Sequence, residues 1–406
     1  MKILFVVDKL LNTNDATVEI AKSLAKEWQS QGHSVLYMCN TPDGHGRPDH
    51  LTLIEFEGNP TYQYDLISEK FVNEFMHKLE GKGTLAKDVA LLTHPGLWDV
   101  LYDSYFAEFK HYATHIAYHI ETIAHQENVD LIYSISEPHY CAYAVALAQV
   151  SPQCHKRAYL VDPYAFNHTH KYEKSRVVER YILEGVERLF TTKQVMNDYR
   201  HDDFFRPYLD KVTAVEFPTL VKPETKTEPA KTYWDNDTKL HCVYAGNIYE
   251  GIRPQWPIEE LFIEEPVPNV TLHTFGKGFN LPLENEAVIV HEPVPTEEVT
   301  DILEAADILI NLGNTVSNMV PSKLFQLMAT GKPIVNLCHT ASDPTLEYTK
   351  LYPLSCDLIL TDDINENRRK LYDFCISNLG SRISYEKVEE IFGECTPAKV
   401  AEELLL

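Results

Sequence analysis

The feature that most restricts the fold of this chain is an alternation of short apolar runs with helical patterns, present twice and interrupted once by a polar, proline-bearing segment. In the first half the strand candidates are Ile3–Val7, Val35–Cys39, Leu51–Phe56, Val89–Thr93, Leu131–Ile135, Ala158–Val161, Leu189–Thr191 and Val212–Val215. Several are unbroken apolar runs, which suits parallel strands covered on both faces. Between them Val18, Ala21, Leu24, Ala25 and Trp28 recur at helical spacing before a stop at Gly32. Leu101, Tyr105, Phe109, Tyr112, Ile116, Ile120 and Ile123 mark a long amphipathic helix. From Phe217 to Lys239 three prolines and little periodicity give the pattern of an interdomain linker. The alternation then restarts, with strands at His241–Ala245, Val270–Phe275, Ala287–Val290, Ile308–Asn311, Pro333–Leu337 and Leu358–Leu360, and helices at Thr296–Ala306, Ser322–Thr330 and Glu386–Phe392. Two such arrays predict an α/β chain of two doubly wound, Rossmann-like domains facing a cleft. The expected boundaries are residues 1–217, a linker at 218–239, a second domain at 240–385, and C-terminal helices at 386–406 that cross back to the first domain.

Charge narrows the partners. A formal net charge of −24 excludes nucleic acid, whose phosphates need a basic surface, and a broad dock on anionic lipid. Residues 1–216 hold 21 basic and 30 acidic side chains, and the remainder 15 and 30, so the second half is the more acidic. No stretch approaches 18 consecutive apolar residues, as a membrane span would require. The opening MKILFVVDKLLNT reads as a buried first strand rather than a signal peptide, which places the protein in the cytoplasm. Eight scattered cysteines with no CxxC pair read as reduced thiols, not as a disulfide frame or zinc site.

The most informative run is VPSKLFQLMATGKPIVN, Val320 to Asn336. Pro321 fits the first turn of a helix, Ser322 fits its cap, and Leu324, Phe325, Leu327 and Met328 give it one buried face. Gly331 stops it, and Lys332-Pro333 leads into the next strand. A helix start at the carboxyl edge of a parallel sheet suits a diphosphate, and Lys323 would add a full positive charge. A buried crossover with no ligand fits the same pattern.

This run resembles the "PSKLFEYMAxGKPV" segment of the retaining GT-B glycosyltransferases, the group that includes glycogen synthases and bacterial polysaccharide transferases. TEEVTDILEAADILINLG (Thr296–Gly313), VYAGNIYEGIRP (Val243–Pro254) and LHTFGKG (Leu272–Gly278) resemble further landmarks of its nucleotide domain, and DLIYSISEPHY (Asp130–Tyr140) resembles a strand end of its acceptor domain. The resemblance implies a nucleotide-sugar site in the second domain. There Arg253 and Lys323 would meet the donor diphosphate as the catalytic cations, with Gly246, Asn247, Gly276, Val294, Asn318, Pro321, Ser322, Leu324 and Gln326 around the donor. It implies acceptor binding in the first domain, where Asn12, Thr13, Asn14, Glu137 and Asp162 would line the cleft. His94 and His139 each follow a strand candidate, where ligands bind in open sheets, and read either as lining the cleft or as satisfied core or loop histidines.

The chain departs from that pattern in places. Where the family carries two glutamates, this sequence has the amides Asn318 and Gln326. A neutral partner for the ribose hydroxyls weakens that hydrogen bond by roughly 1 kcal/mol. Asp162 stands where the family tends to place a histidine, and LLNTNDAT (Leu10–Thr17) replaces a glycine-rich loop.

Weaker constellations remain. His111, His115 and His119 lie at i, i+4 and i+8, read as a helix face drifting from solvent to a shoulder, or as part of the acceptor cleft, ahead of a metal pair. Asp235-Asn236-Asp237 matches a metal-binding DxD but reads as a turn in the linker. Lys171, Lys174, Arg176 and Arg180 form a basic cluster, either a solvated helix face or a contact for an acceptor phosphate. The expected reaction moves a hexose from a nucleoside-diphosphate sugar, a UDP-sugar first, to a glycan or lipid-linked acceptor with retention of configuration. It needs no cofactor and no metal, and is set in the cytoplasm with peripheral contact at the inner membrane face. Two alternatives stand beside it: a catalytically inactive GT-B subunit that binds glycan or stabilises an active transferase, and a nucleotide-sugar epimerase of the same fold. Oligomeric state is left open.

Overall fold

The computed structural model describes residues 1–11, 16–45, 47, 49–66, 70, 74, 77–78, 105–135, 138–162, 164–167, 172–223, 233–234, 238–281 and 286–406, with backbone alone at 105–109, 111, 172–173 and 296–297. The chain divides into two units, Met1–Glu216 together with Glu403–Leu406, and Phe217–Glu402. Both are α/β, each built on one sheet with helical connections.

The first unit holds eight strands: β1 (Lys2–Val6), β2 (Ser34–Asn40), β3 (Leu51–Phe56), β4 (Asn59–Tyr64), β5 (Leu131–Ile135), β6 (His155–Leu160), β7 (Arg188–Thr191) and β8 (Val212–Ala214). Their spatial order is β3-β4-β2-β1-β5-β6-β7-β8. All neighbours are parallel except β3 and β4, an antiparallel hairpin. That hairpin corrects the sequence reading, which took β3 alone. Glu57 and Gly58 both have positive φ (49° and 76°), the backbone of a tight primed turn whose twist suits a hairpin. The central strands are apolar because helices cover both faces. On one side Phe5 packs at 5.3 Å from Trp28 of the helix Ala16–Ser30. On the other, Ile116, Ile120 and Ile123 of Tyr105–Glu127 join Leu4, Val6 and Ile132 in one buried cluster.

The second unit holds β9 (Leu240–Ala245), β10 (Val270–Phe275), β11 (Val288–His291), β12 (Ile308–Leu312), β13 (Ile334–Cys338) and β14 (Ser355–Ile359), all parallel, in the order β11-β10-β9-β12-β13-β14. β9, β12 and β13 are buried along their whole length, as expected of inner strands in a doubly wound sheet. Among the described residues no helix is long and apolar enough to cross a membrane.

The helix Lys323–Ala329 ends at Gly331, whose φ of 74° is the left-handed conformation that favours glycine. Its amide donates to Met328 O at 2.9 Å and its carbonyl accepts from Ile383 N at 2.9 Å. A Cβ here would sit 1.9 Å from Ile383 O. Gly331→Ala therefore combines backbone strain with a clash against backbone, and is expected to destabilise the protein by about 3 kcal/mol. A urea midpoint within error of wild type would refute this.

Candidate active site

In an open parallel sheet the ligand crevice lies where successive connections run to opposite sides, because there the loops leaving neighbouring strands part. In the second unit the chain runs from β9 outward to β10 and β11, then returns to place β12 on the other side of β9. The switch point is therefore between the carboxyl ends of β9 and β12.

Three segments meet there. The loop after β9 folds back on itself: Arg253 N donates to Tyr249 O at 2.6 Å, and Tyr249 N to Arg253 O at 3.0 Å. The loop after β12 is tied to it, with Thr315 N donating to Ile252 O at 2.7 Å and Thr315 Oγ1 to Gly251 O at 3.0 Å. The Arg253 guanidinium donates through Nε and Nη2 to Asn314 Oδ1, at 3.0 and 2.8 Å. From the third segment Lys323 donates from Nζ to the carbonyl of Ala245, the last residue of β9, at 2.6 Å. Burial pulls its ammonium down to about 8, and the positive charge of Arg253 acts in the same direction. That repulsion places the two cations in each other's field. At pH 7 about nine-tenths of Lys323 is still charged. Among the described residues no carboxylate is in hydrogen-bond contact with either cation, and two such cations together suit a dianionic group.

Glycine is required where the loops cross. A Cβ on Gly276, at φ 151°, would meet Gly246 O at 2.1 Å, so the turns after β9 and β10 touch backbone to backbone. Asn247 bonds within this turn, accepting from Lys277 N at 2.9 Å and donating to Tyr249 Oη at 3.3 Å. The other expected donor residues are distributed as follows. Pro321 is buried, Asn318 is buried in the loop after β12, and Val294 is half-buried after β11. Gln326 is exposed on the helix surface. Leu324 is fully buried, and its amide is occupied by Pro321 O at 2.9 Å. Ser322 stands at the helix start, but its backbone is already helical and its side chain makes no capping bond. The expected cap is thus corrected: a hydroxyl reaches the free N–H groups from extended backbone, which this residue does not have. Asn314 was not expected, although it follows directly on a strand end, where such residues face the ligand.

In the first unit the corresponding switch lies between β1 and β5. His139, at the start of the helix His139–Leu147, stacks on Tyr164 at 4.3 Å, and its Nε2 lies 3.3 Å from the Asp162 carbonyl. Two residues expected separately are thereby brought together. Asp8, after β1, was not anticipated. It is 3% exposed and accepts from Tyr64 Oη at 2.5 Å and Tyr140 Oη at 2.9 Å. Burial pushes its carboxyl up against those two hydrogen bonds, which pull down. Asn12, Thr13, Asn14, His94, Glu137, the strand Val89–Thr93, Lys171 and Asp235–Asp237 lie outside the described residues.

Two secondary readings change. His119 is buried, not on a shoulder, with its ring 6.5 Å from Tyr64 and 4.8 Å from His115. The hairpin strand β4 supplies Tyr64 and widens the covered arc of that helix. In the basic cluster, Arg176 donates from Nη2 to both carboxylate oxygens of Asp202, at 2.7 and 2.9 Å, and lies over Phe204, while Arg180 faces Glu184 at 3.6 Å. Those two cations are engaged within the fold. Beside them a shallow depression of about 460 Å³ is lined by Phe166, Asp198, His201, Asp202 and Asp203, an acidic lining ill suited to a nucleotide.

Over its whole length the chain is similar in fold to sucrose-phosphate synthase from Thermosynechococcus elongatus, at 12% identity and a TM-score of 0.63, covering 97% of that chain. It is equally similar, with a TM-score of 0.63, 10% identity and 98% of that chain covered, to a trehalose-6-phosphate protein from E. coli bound with UDP-2-fluoro glucose. A protein described as a UDP-N-acetylglucosamine 2-epimerase from Listeria monocytogenes follows at 12% identity and a TM-score of 0.54, with 94% of that chain covered. At such identities the likeness establishes the fold: two Rossmann-like units in one chain. No family model matches the sequence, and a search of curated proteins finds no match.

Proposed function

We propose that this protein is a glycosyltransferase that moves a hexose from a nucleoside-diphosphate sugar, a UDP-sugar first, to a glycan or lipid-linked acceptor with retention of configuration. The observation that carries the reading is the convergence of Arg253 and Lys323 at the switch point of the second sheet. When the glycosidic bond to the donor breaks, negative charge grows on the departing diphosphate while the sugar becomes oxocarbenium-like. Cations already held in place there lower the barrier without having to reorganise. Arg253 offers a planar fork and Lys323 a point charge, so together they supply the charge for which other transferases recruit a metal. In the same-face attack that the resemblance implies, the acceptor oxygen bonds to the sugar carbon as the bond to the diphosphate breaks, and the departing phosphate oxygen takes the acceptor's proton. His139 and Asp162, at strand ends of the first unit, are the acceptor-side candidates.

The test is a thermal shift and turnover series with UDP, GDP, ADP and their sugars. UDP at a hundred times its Kd should stabilise the protein by about 2.7 kcal/mol. No shift with any nucleoside diphosphate, together with no donor turnover, would sink the proposal. Binding without turnover would favour the second reading, a non-catalytic subunit, which the amides Asn318 and Gln326 motivate. An altered sugar formed from donor alone would point to an epimerase, a chemistry found on this fold.

A further inference from the structure

Arginine is a costly residue to aim. Its side chain has four rotatable bonds, and a phosphate-binding guanidinium left free in solvent must lose that freedom on binding. In this protein both ends of Arg253 are fixed beforehand. The backbone is held by the paired bonds to Tyr249, at 2.6 and 3.0 Å. The guanidinium is held by Asn314, whose carbonyl oxygen takes Nε–H at 3.0 Å and Nη2–H at 2.8 Å, one on each lone pair. The remaining end of the same carboxamide is also used, Nδ2 donating to Met319 O at 3.0 Å. Asn314 is 5% exposed, so this is an enclosed clamp and not a surface contact. Every hydrogen-bonding element of the side chain except one N–H is engaged, and the amide cannot flip without breaking the pair.

The chemistry of the clamp is as informative as its geometry. Arginine is most often aimed by a carboxylate, which holds the fork more strongly but cancels its charge. Here the acceptor is neutral, and the Tyr244 hydroxyl, the guanidinium's other hydrogen-bond partner, is neutral too, so the fork keeps its positive charge to present. We infer that Asn314 is a positioning residue, holding the guanidinium of Arg253 in a fixed orientation for the phosphates of a nucleoside diphosphate while leaving its charge uncancelled. The inference rests on the proposed nucleotide-sugar reading of this site and names a residue which that reading does not require.

The experiment is a double-mutant cycle read by calorimetric titration of UDP at pH 7, on wild type, Asn314→Ala, Arg253→Ala and the double variant. Asn314→Ala should weaken UDP binding about tenfold in the wild-type background. In the Arg253→Ala background the same change should cost less than about twofold, because the residue acts only through the arginine. Asn314→Asp, close in shape and expected to fold where the alanine variant does not, should also weaken binding by about tenfold or more, since the carboxylate keeps the clamp but cancels the charge. Equal losses in both backgrounds would mean that Asn314 merely holds the loop together, and would overturn the inference. So would an Asn314→Asp protein that binds UDP as tightly as wild type. A wild-type protein that binds no nucleoside diphosphate would remove the functional reading itself, a result separate from an additive cycle.

Discussion

At pH 7 a Lys323→Met protein is expected to bind UDP about thirtyfold more weakly than wild type, and yet to be more resistant to unfolding. The two effects have one cause. The ammonium donates to Ala245 O and faces Arg253 in a site that burial has already pulled down to about 8. Against the ordinary lysine value near 10.5, holding the charge in the fold costs up to about 3 kcal/mol, reduced to about 2 by the solvent exposure the residue retains. The sign is fixed by proton counting. Between pH 8 and 10.5 the unfolded chain binds the proton and the folded chain does not, so stability rises with pH across that window and is lowest below it. Methionine removes the cost and the rise together. A bound diphosphate reverses the balance because it favours the charged lysine, a charge-assisted contact worth about 2 kcal/mol or thirtyfold. UDP affinity in wild type should therefore fall as pH rises through 8, whereas Lys323→Arg stays flat to pH 9. An affinity loss with no gain in urea midpoint, or a flat pH profile in wild type, would contradict this account.

The second large effect is expected in the first unit. Glu179 is fully buried in the helix Tyr172–Gly185, accepting from Ala165 N at 2.6 Å and from the Tyr199 hydroxyl. Burial pushes its carboxyl up to about 7, against the pull of the two hydrogen bonds. Here the folded state keeps its proton longer than the unfolded one. Stability is highest below about pH 4.5 and declines until pH 7, by about 3 kcal/mol if the shift acts alone. Glu179→Gln keeps an acceptor for Ala165 N and cannot ionise. Relative to wild type it should gain up to about 3 kcal/mol at pH 8 and nothing at pH 4.5. Parallel stability curves for the two proteins across that range would dismiss the explanation. Ala165, which Glu179 anchors, lies in the segment that follows β6.

Much of this was legible in the sequence because it depends on local pattern. Buried inner strands write themselves as apolar runs, and Gly331 and the helix before it were readable from the Pro321–Pro333 segment. What escaped depends on register and on partners far along the chain. β4 begins Asn59-Pro60 and carries polar residues, so it looks like a turn until its neighbours β3 and β2 are known. His241, His273 and His291 stand on β9, β10 and β11 as a hydrogen-bonded row, at 3.0 and 2.9 Å. Only the pairing of Thr271 with His241, and of Ile289 with His273, sets those rings diagonally side by side. Asp8, Glu179 and Asn314 are each a single polar residue in sequence. Their meaning comes from Tyr64, Tyr199 and Arg253, which lie 56, 20 and 61 positions away.

A segment far along the sequence closes the first unit. Glu403–Leu406 belong to the first unit, where the buried carbonyl of Leu404 accepts from Arg157 Nη1 at 2.6 Å and from Tyr133 Oη at 3.2 Å. Synthesis runs from the amino end, and domains generally fold as they emerge. In this protein the first unit also needs a segment that is made only after the second unit. The last strand of its sheet ends at Ala214, but the acceptor for Arg157 and Tyr133 lies at position 404, after the whole of the second unit. Until that segment is made, the half-buried Arg157 lacks this carbonyl. Completion of the amino-terminal unit is thus tied to synthesis through Leu404, and a chain cut after Glu402 would leave that unit without the acceptor for Arg157 and Tyr133.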